Sequence, residues 1–470
     1  MADLVQGTPQ WWLERLVTRL ESRRARYDRL EKYESGDHTL PEGDERARDL
    51  FKAFQKKART NYCGLVIASV SERLHVTGFR TGGESSNDVD REAWRIWQAN
   101  HLDADSELVH DDALTLSDTY VIVGPNPADP PTPIITAESP FSVVAEPDPM
   151  NRRVMAAALK TWTDDATKVD RAVLYLPATI HYYERQNRTS PWRTVTPSWT
   201  ESDEVTAVAN TLGEVPVVRF VNRPRTKQGG EGRGEFEDAI DVQDRINNVV
   251  LDRLIIAKMQ AYRQRYMTGV PTEDEHGNPI DLPFVPGVDM LWHLEDPDGV
   301  AKFGEFQQVD LTPVLKAAAE DVKAFTTITG LPPHYVAGDL VNASADALAA
   351  AEARHVARCD KRKRAFSESW EQVMALAFRW RGEDLPADTE ILWADSERKT
   401  DAQLADAAVK KKDAGVPWRQ RMEDLGYSPQ TIDRMESQRM QDALTEALMA
   451  PAPAAPVAPD VTPAAAPGGR

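Results

Sequence analysis

His355 and Cys359 stand four residues apart, the spacing that puts an imidazole and a thiolate on one helix face as two zinc ligands. No second pair of that kind is near them and Cys63 is the only other cysteine, so packing is the favoured reading. Gly230, Gly232 and Gly234 alternate ahead of a helical stretch and outline a phosphate loop. Neither a Lys-Ser/Thr ending nor the full dinucleotide spacing follows, and the run 229–234 reads as a flexible joint. Ser69 and Ser71 lie near His75 without the G-x-S-x-G elbow that exposes a nucleophile. Asp111 with Asp112, and Glu237 with Asp238, look like solvated helix starts, where negative charge suits the helix dipole, and nothing links them into an acid/base pair. Arg358, Lys361, Arg362, Lys363 and Arg364 form one dense cationic group, and Lys410, Lys411 and Lys412 a smaller one. Such a group is a helix face paired with acidic neighbours, or a contact for DNA or for an acidic neighbouring subunit. With neither GxxxxGK[ST] nor HExxH present, these residues point away from an enzyme and call for no cofactor or metal.

Composition narrows the classes further. A chain of 470 residues exceeds one compact core, so two or three structural regions are expected. The formal net charge is −19, whereas a protein that grips DNA draws its affinity from cations that neutralise phosphates. Acidity argues against a conventional DNA-binding surface, but suits one that DNA slides past without sticking. No run of about eighteen apolar residues is present. Asp3 and the missing apolar segment near the start speak against a signal peptide, and two cysteines fit a reducing compartment.

The elements that must position these residues follow from periodicity. Thr8 and Pro9 cap a first helix whose apolar stripe is Leu13, Leu16, Val17 and Leu20, with Arg23, Arg24 and Arg26 on its exposed side. Trp11 and Trp12 fit docking or a core. Helical stretches are expected at about 45–60, from 64 until strand character begins at 74–79, at 88–100, and on to about 115. From 118 to 222 the pattern turns to short β-rich runs, 119–123, 141–145, 171–176, 179–183 and 215–221, separated by Pro, Asp, Asn and Gly. Residues 235–266 hold no Pro or Gly and carry Ile246, Val249, Val250, Leu254, Ala257 and Ala261 on one stripe. Leu311, Leu315, Ala318, Val322 and Phe325 mark a second long helix, capped at Thr312 and stopped by Gly330-Leu331-Pro332-Pro333. Between them 269–304 is rich in Pro, Gly and Asp, with apolar runs at 284–285 and 290–292 that would pair as a small sheet. An Ala-rich helix runs from Ser344 to about Trp380, three helices fill 397–449, and the Ala/Pro tail 450–470 lacks the means to bury a core.

This order of parts, helical start, β-rich block, helix–insert–helix, polar loop, long Ala-rich helix and helical end, resembles the portal family of tailed phages, in the SPP1 Gp6-like branch. Locally, Asn61-Tyr62-Cys63-Gly64-Leu65-Val66-Ile67 through Glu72-Arg73-Leu74-His75-Val76-Thr77-Gly78-Phe79 is similar to the family's helix-to-strand signature. Ile328-Thr329-Gly330-Leu331-Pro332-Pro333 and Asn342-Ala343-Ser344-Ala345-Asp346-Ala347-Leu348 resemble its tunnel-loop segment, although Ala345-Asp346 replaces a glycine often found there. Lys361-Arg362-Lys363-Arg364-Ala365-Phe366-Ser367-Glu368-Ser369-Trp370 resembles the helix that follows.

The resemblance implies a predominantly helical α+β portal fold: a wing over 1–234 with its β-rich block at 118–222, stem helices at 235–266 and 311–330, a clip at 267–310, a tunnel loop at 331–343, a wing helix at 344–381 and a crown at 382–450. It implies His334, Asp339, Asn342, Ser344 and Asp346 facing the DNA tunnel, and His276, Phe284 and Trp292 on a partner-docking clip. It also implies a ring, usually a dodecamer, at one capsid vertex of the virion, assembled in the host cytoplasm. Its partners would be the terminase large subunit, major capsid and scaffold proteins, a head–tail adaptor, and double-stranded DNA held weakly and without sequence preference; no membrane is involved. Other classes remain: a minor capsid or scaffold-like interaction protein, or a nucleic-acid-processing enzyme using the basic helix near Arg362, which would need a carboxylate cluster that the sequence does not offer.

Overall fold

The computed structural model describes residues 5–41, 54–82, 86–186, 198–226, 230–261, 265–268, 276, 302–305, 309–337, 345–397, 401–427 and 429–449. The fold is α+β and mainly helical. It divides into two compact units, 1–398 and 399–470.

Helix α1 (Pro9–Ser35) starts where Thr8 accepts the Trp11 amide and ends at Gly36, whose φ of 77° suits a residue without a Cβ. It is followed by α2 (Tyr62–Ser71), β1 (Val76–Arg80), α3 (Ser86–Ala99) and α4 (Leu102–Leu116). Of the helical stretch expected at 45–60, residues 42–53 lie outside the described residues and 54–58 are helical. Next come β2 (Asp118–Gly124), β3 (Ile134–Glu138), β4 (Val143–Pro147), β5 (Met155–Asp164), β6 (Val169–Tyr175), β7 (Thr179–Gln186), β8 (Thr200–Glu201), β9 (Ala207–Ala209) and β10 (Val217–Val221). All their pairings are antiparallel. One sheet has the order β10-β2-β3, and another runs β4-β5-β6-β7-β8 with β9 also on β7.

Around β4, β5 and β6 the second sheet buries side chains on both faces, with a register shift at Glu146/Pro147 that turns Met155 to the same side as Ala158. Ala157, Leu159, Ala172 and Leu174 pack under Leu13 and Leu16 of α1. Ala145, Ala158 and Met155 pack against Tyr120, Ile122 and Val217 of the first sheet. Periodicity singled out neither β3 nor β5. Met155-Ala-Ala-Ala-Leu favours helix by intrinsic propensity, and ladders on both sides of β5 override it.

Helix α5 (Ile240–Ala261) leaves this body and α6 (Thr312–Thr329) returns to it. Between them β11 (Arg265–Thr268) pairs with β12 (Lys302–Glu305); the sheet expected from 284–285 and 290–292 lies outside the described residues. Asp310 rather than Thr312 starts α6, accepting the Thr312 amide at 2.9 Å. After the short α7 (His334–Ala337) comes α8 (Ala345–Trp380), 36 residues and so about 54 Å long. Its inner face, Cys359, Phe366, Trp370, Val373, Met374 and Ala377, crosses the main core. There Trp370 packs on Trp97 and Phe220 at centroid distances of 4.9 and 4.7 Å.

Residues 382–397, expected with the helical end, fold back instead. Gly382, at φ 79°, stops α8, and β13 (Glu390–Trp393) pairs with β1 and buries Ile391. In the unit 399–470, α9 (Asp401–Asp413), α10 (Trp418–Asp424) and α11 (Pro429–Met449) are joined by ion pairs. Arg419 reaches Asp433 and Glu436 at 2.9 and 3.1 Å, and Lys411 reaches Asp424 at 2.6 Å.

Candidate functional site

Two buried carboxylates hold together the place from which the α5–α6 hairpin leaves the body. Asp118, at the start of β2, accepts from Arg219 of β10 at 2.7 Å, from Arg23 of α1 at 3.2 Å and from the Tyr27 hydroxyl at 2.7 Å. Burial alone would raise its pKa, but Arg219 and Arg23 bring it down to about 2. Glu235, also buried, is gripped by Arg358 and Arg362 of α8. Burial again opposes its ionised form and the two guanidiniums override it, holding its pKa below the usual carboxylate range. A carboxylate between two guanidiniums costs little only when every partner stays in place, so both nodes demand a fixed geometry. They tie α1, the sheet and α8 to the root of α5.

Gly232 and Gly234 lie between the nodes and correct the reading of a flexible joint. A Cβ on Gly232 would strike the Ser117 carbonyl and come within 2.6 Å of the Asn222 carbonyl; one on Gly234 would come within 2.7 Å of the Thr115 carbonyl. The Arg233 amide donates to Asn222 and the Glu235 amide to Leu114. Here glycine serves close backbone approach, not freedom of motion. The arginines of α1 are corrected likewise. Arg23 joins the Asp118 node and Arg26 bonds Glu237 at 2.8 Å, so only Arg24 of the three is exposed. Glu237 is partly buried and also accepts the Gly234 amide, while Asp238, exposed beside it at the helix start, takes Arg223 and Arg233.

The basic group on α8 divides between two faces. Arg362 and Lys363 point inward, the first to Glu235 and the second to the Ala394 carbonyl. Arg358 is half-buried on Glu235, while Lys361 and Arg364 are exposed. His355 and Cys359 belong to the packed interior. The His355 Nε2 meets the Ser69 carbonyl at 3.0 Å, and burial pushes the Cys359 thiol up to about 11. Among the described residues no group of three or more His, Cys, Asp or Glu is arranged to hold a metal. Among them, too, no helix is long and apolar enough to cross a membrane.

His334 lies beside Glu352 at 3.4 Å, and Glu352 also takes Arg73 at 2.9 Å. Asp346 sits in the first turn of α8 and His276 in an exposed turn. Asp339, Asn342, Ser344, Phe284 and Trp292 fall outside the described residues.

Asp111 and Asp112 lie within α4, not at a helix start. Burial and the neighbouring Asp111, Glu31 and Glu34 raise the Asp112 pKa to about 6. The sequence singled out Asp111 with Asp112 only as a solvated helix start, and no sequence signal pointed to Asp118 and Glu235, because their partners come from distant parts of the chain.

Away from its root the hairpin exposes apolar surface. Ile246, Leu251 and Phe325 are buried at the root, whereas Val309 and Leu315 are 56 and 48 % exposed; Ile328, in the last turn of α6 at the root, is 48 % exposed as well. Val249, Ile255, Ile256, Pro313 and Val314 line an open cleft between the two helices.

Residues 13–421 match the family model described as phage portal protein, SPP1 Gp6-like. The portal protein of Mycobacterium phage D29 is 30 % identical over 407 residues, covering 82 % of this chain and 79 % of its own. That of Mycobacterium phage L5 is 29 % identical over 402 residues, covering 81 and 78 %. A chain from the neck of an empty gene transfer agent particle aligns over 82 % of this chain and 95 % of its own, at 10 % identity and a TM-score of 0.44.

Proposed function

The chain belongs to the SPP1 Gp6-like family of phage portal proteins, and from that premise we propose that its copies close into a ring, a dodecamer, around a channel for double-stranded DNA at one capsid vertex. The observation that carries the ring is the α5–α6 hairpin, whose outer half leaves apolar side chains such as Val309 and Leu315 exposed among the described residues. Such a stripe is stable when neighbours bury it, and a contact between two different faces closes naturally into a ring. In this reading the hairpin is the stem and 267–310 the clip, where His276, Phe284 and Trp292 meet the terminase large subunit and later a head–tail adaptor. Residues 331–343, with His334, Asp339 and Asn342, border the channel, as do Ser344 and Asp346 at the start of α8. Residues 1–234 with α8 make the wing that meets major capsid and scaffold proteins. The crown begins after β13, at about 399, instead of at 382.

The chain's part is to guide DNA and hold partners, while ATP hydrolysis resides in the motor. Net negative charge keeps the phosphates from sticking to the wall. The ring assembles in the host cytoplasm and stays in the virion. Electron micrographs of the purified full chain are expected to show rings with a central hole. A chain that stays monomeric at every concentration, with and without scaffold protein, would overturn the reading.

A further inference from the structure

Two surfaces of opposite sign are built on different faces of one helix pair. Helices α2 and α8 meet through their inner faces, where the Ser69 carbonyl touches His355 and Arg73 bonds Glu352. The outward face of α8 presents Arg354 and Lys361, both exposed and without an ion pair among the described residues. With Arg223 and the last turn of α6 they border a cleft of about 340 Å³ that also contains the exposed Ile328. The carboxylate beneath it, Glu235, is already occupied by Arg358 and Arg362, so the cleft keeps a surplus of positive charge.

The acidic surface is a recess of about 300 Å³ among α1, α2 and α4, bordered by Glu34, Glu107 and Asp111. His75 stands 3.9 Å from Glu107. Burial raises the pKa of Glu34, Asp111 and the adjoining Asp112, and neighbouring carboxylates add to the rise.

Resting on the ring reading above, we infer that the basic face of one copy docks on the acidic recess of the next, with Arg354 and Lys361 reaching Glu34 and Asp111. Charge complementarity selects a second copy as occupant. In a chain of net charge −19 a surplus of cations is the exception, and its complement lies on another face of the same body. Continuity supports it, because a copy seated on the basic cleft also covers Ile328, part of the apolar edge that a ring must bury. Two unlike faces of one chain make a head-to-tail contact, the kind that closes into a ring.

The test uses two double variants of the full chain, Arg354→Glu with Lys361→Glu, and Glu34→Lys with Asp111→Lys. The first has two acidic faces and the second two basic ones, so each alone repels itself while an equal mixture restores every contact in alternation. Each variant alone is expected to lose ring formation, on the order of a hundredfold in association constant, while its monomer still unfolds cooperatively at no lower a temperature than an exposed charge-reversal control. The mixture is expected to regain rings in sedimentation and in electron micrographs. Rings from either variant alone at wild-type concentration, or no recovery on mixing, would overturn the docking while leaving the ring intact. If the first variant forms rings but loses affinity for duplex DNA, the basic face serves nucleic acid and the docking is wrong. A monomeric wild-type chain would sink the ring reading itself.

Discussion

Asp118 and Asp112 show one chemical group used with opposite sign. Asp118 has a folded pKa of about 2 against an ordinary 3.8, so its ionised form is favoured by the fold. The stability it contributes is complete above the ordinary value and is lost as pH falls toward 2. Asp118→Ala leaves Arg219 and Arg23 beside an empty site, and a loss of about 3–5 kcal/mol is expected from breaking such a buried group. Urea unfolding at pH 7 measures it; a loss within error of an exposed Asp→Ala control would show that the node carries no strain of charge. Asp112 works the other way. Its pKa is raised from 3.8 to about 6, so the fold is burdened by its charge above pH 6 and relieved as pH drops toward 4. Asp112→Asn is therefore expected to raise the melting temperature of the unassembled chain at pH 8 and to leave it unchanged near pH 3.5. An equal effect at both pH values would mean that packing, not charge, sets the difference.

At the level of elements, the seam at 230–235 decides how the hairpin is held. Gly232→Ala places a methyl against two carbonyl oxygens belonging to Ser117 and Asn222. Relief requires β2 and β10 to part, and about 1–3 kcal/mol of destabilisation is expected, as for other overpacked sites. Amide hydrogen exchange should quicken at Arg233 and Glu235, whose bonds cross the seam; unchanged exchange would restore the flexible joint. The elements that local pattern revealed are those whose own residues enforce them. Thr8 and Pro9 start α1, Gly330 stops α6, and Leu13 with Leu16 marks the face that packs on the sheet. What stayed hidden depends on partners far along the chain. The Ala-rich β5 is a strand because β4 and β6 flank it, and β13 returns to β1 across more than three hundred positions. The candidate site was hidden for the same reason. A run of cations on α8 looks uniform in sequence, yet helical phase sends Arg362 to Glu235 and leaves Lys361 outside. Nothing local marks Glu235 as the carboxylate that sorts them.

For the whole molecule, the hairpin and the charged faces divide the work of assembly. Opposite charge steers copies together and fixes their register, but each exposed pair contributes little and is screened by salt. Apolar contact supplies affinity that salt does not remove. Leu315, on α6, is left 48 % exposed by the described residues and lies far from the root anchored by Phe325. Burying the rest of such a side chain contributes about 1 kcal/mol per contact, and a closed ring repeats that contact at every interface. Leu315→Asp is thus expected to leave the helix content of the dissociated chain unchanged in circular dichroism. It should raise the concentration at which rings form by about tenfold or more. The reversed-charge variants and Leu315→Asp should separate by salt: near 1 M salt, where the Debye length is about 3 Å, charge reversal costs less while Leu315→Asp keeps its full effect. If the two kinds of variant respond to salt alike, steering and burial are not distinct parts of the assembly, and the hairpin is not where its affinity resides.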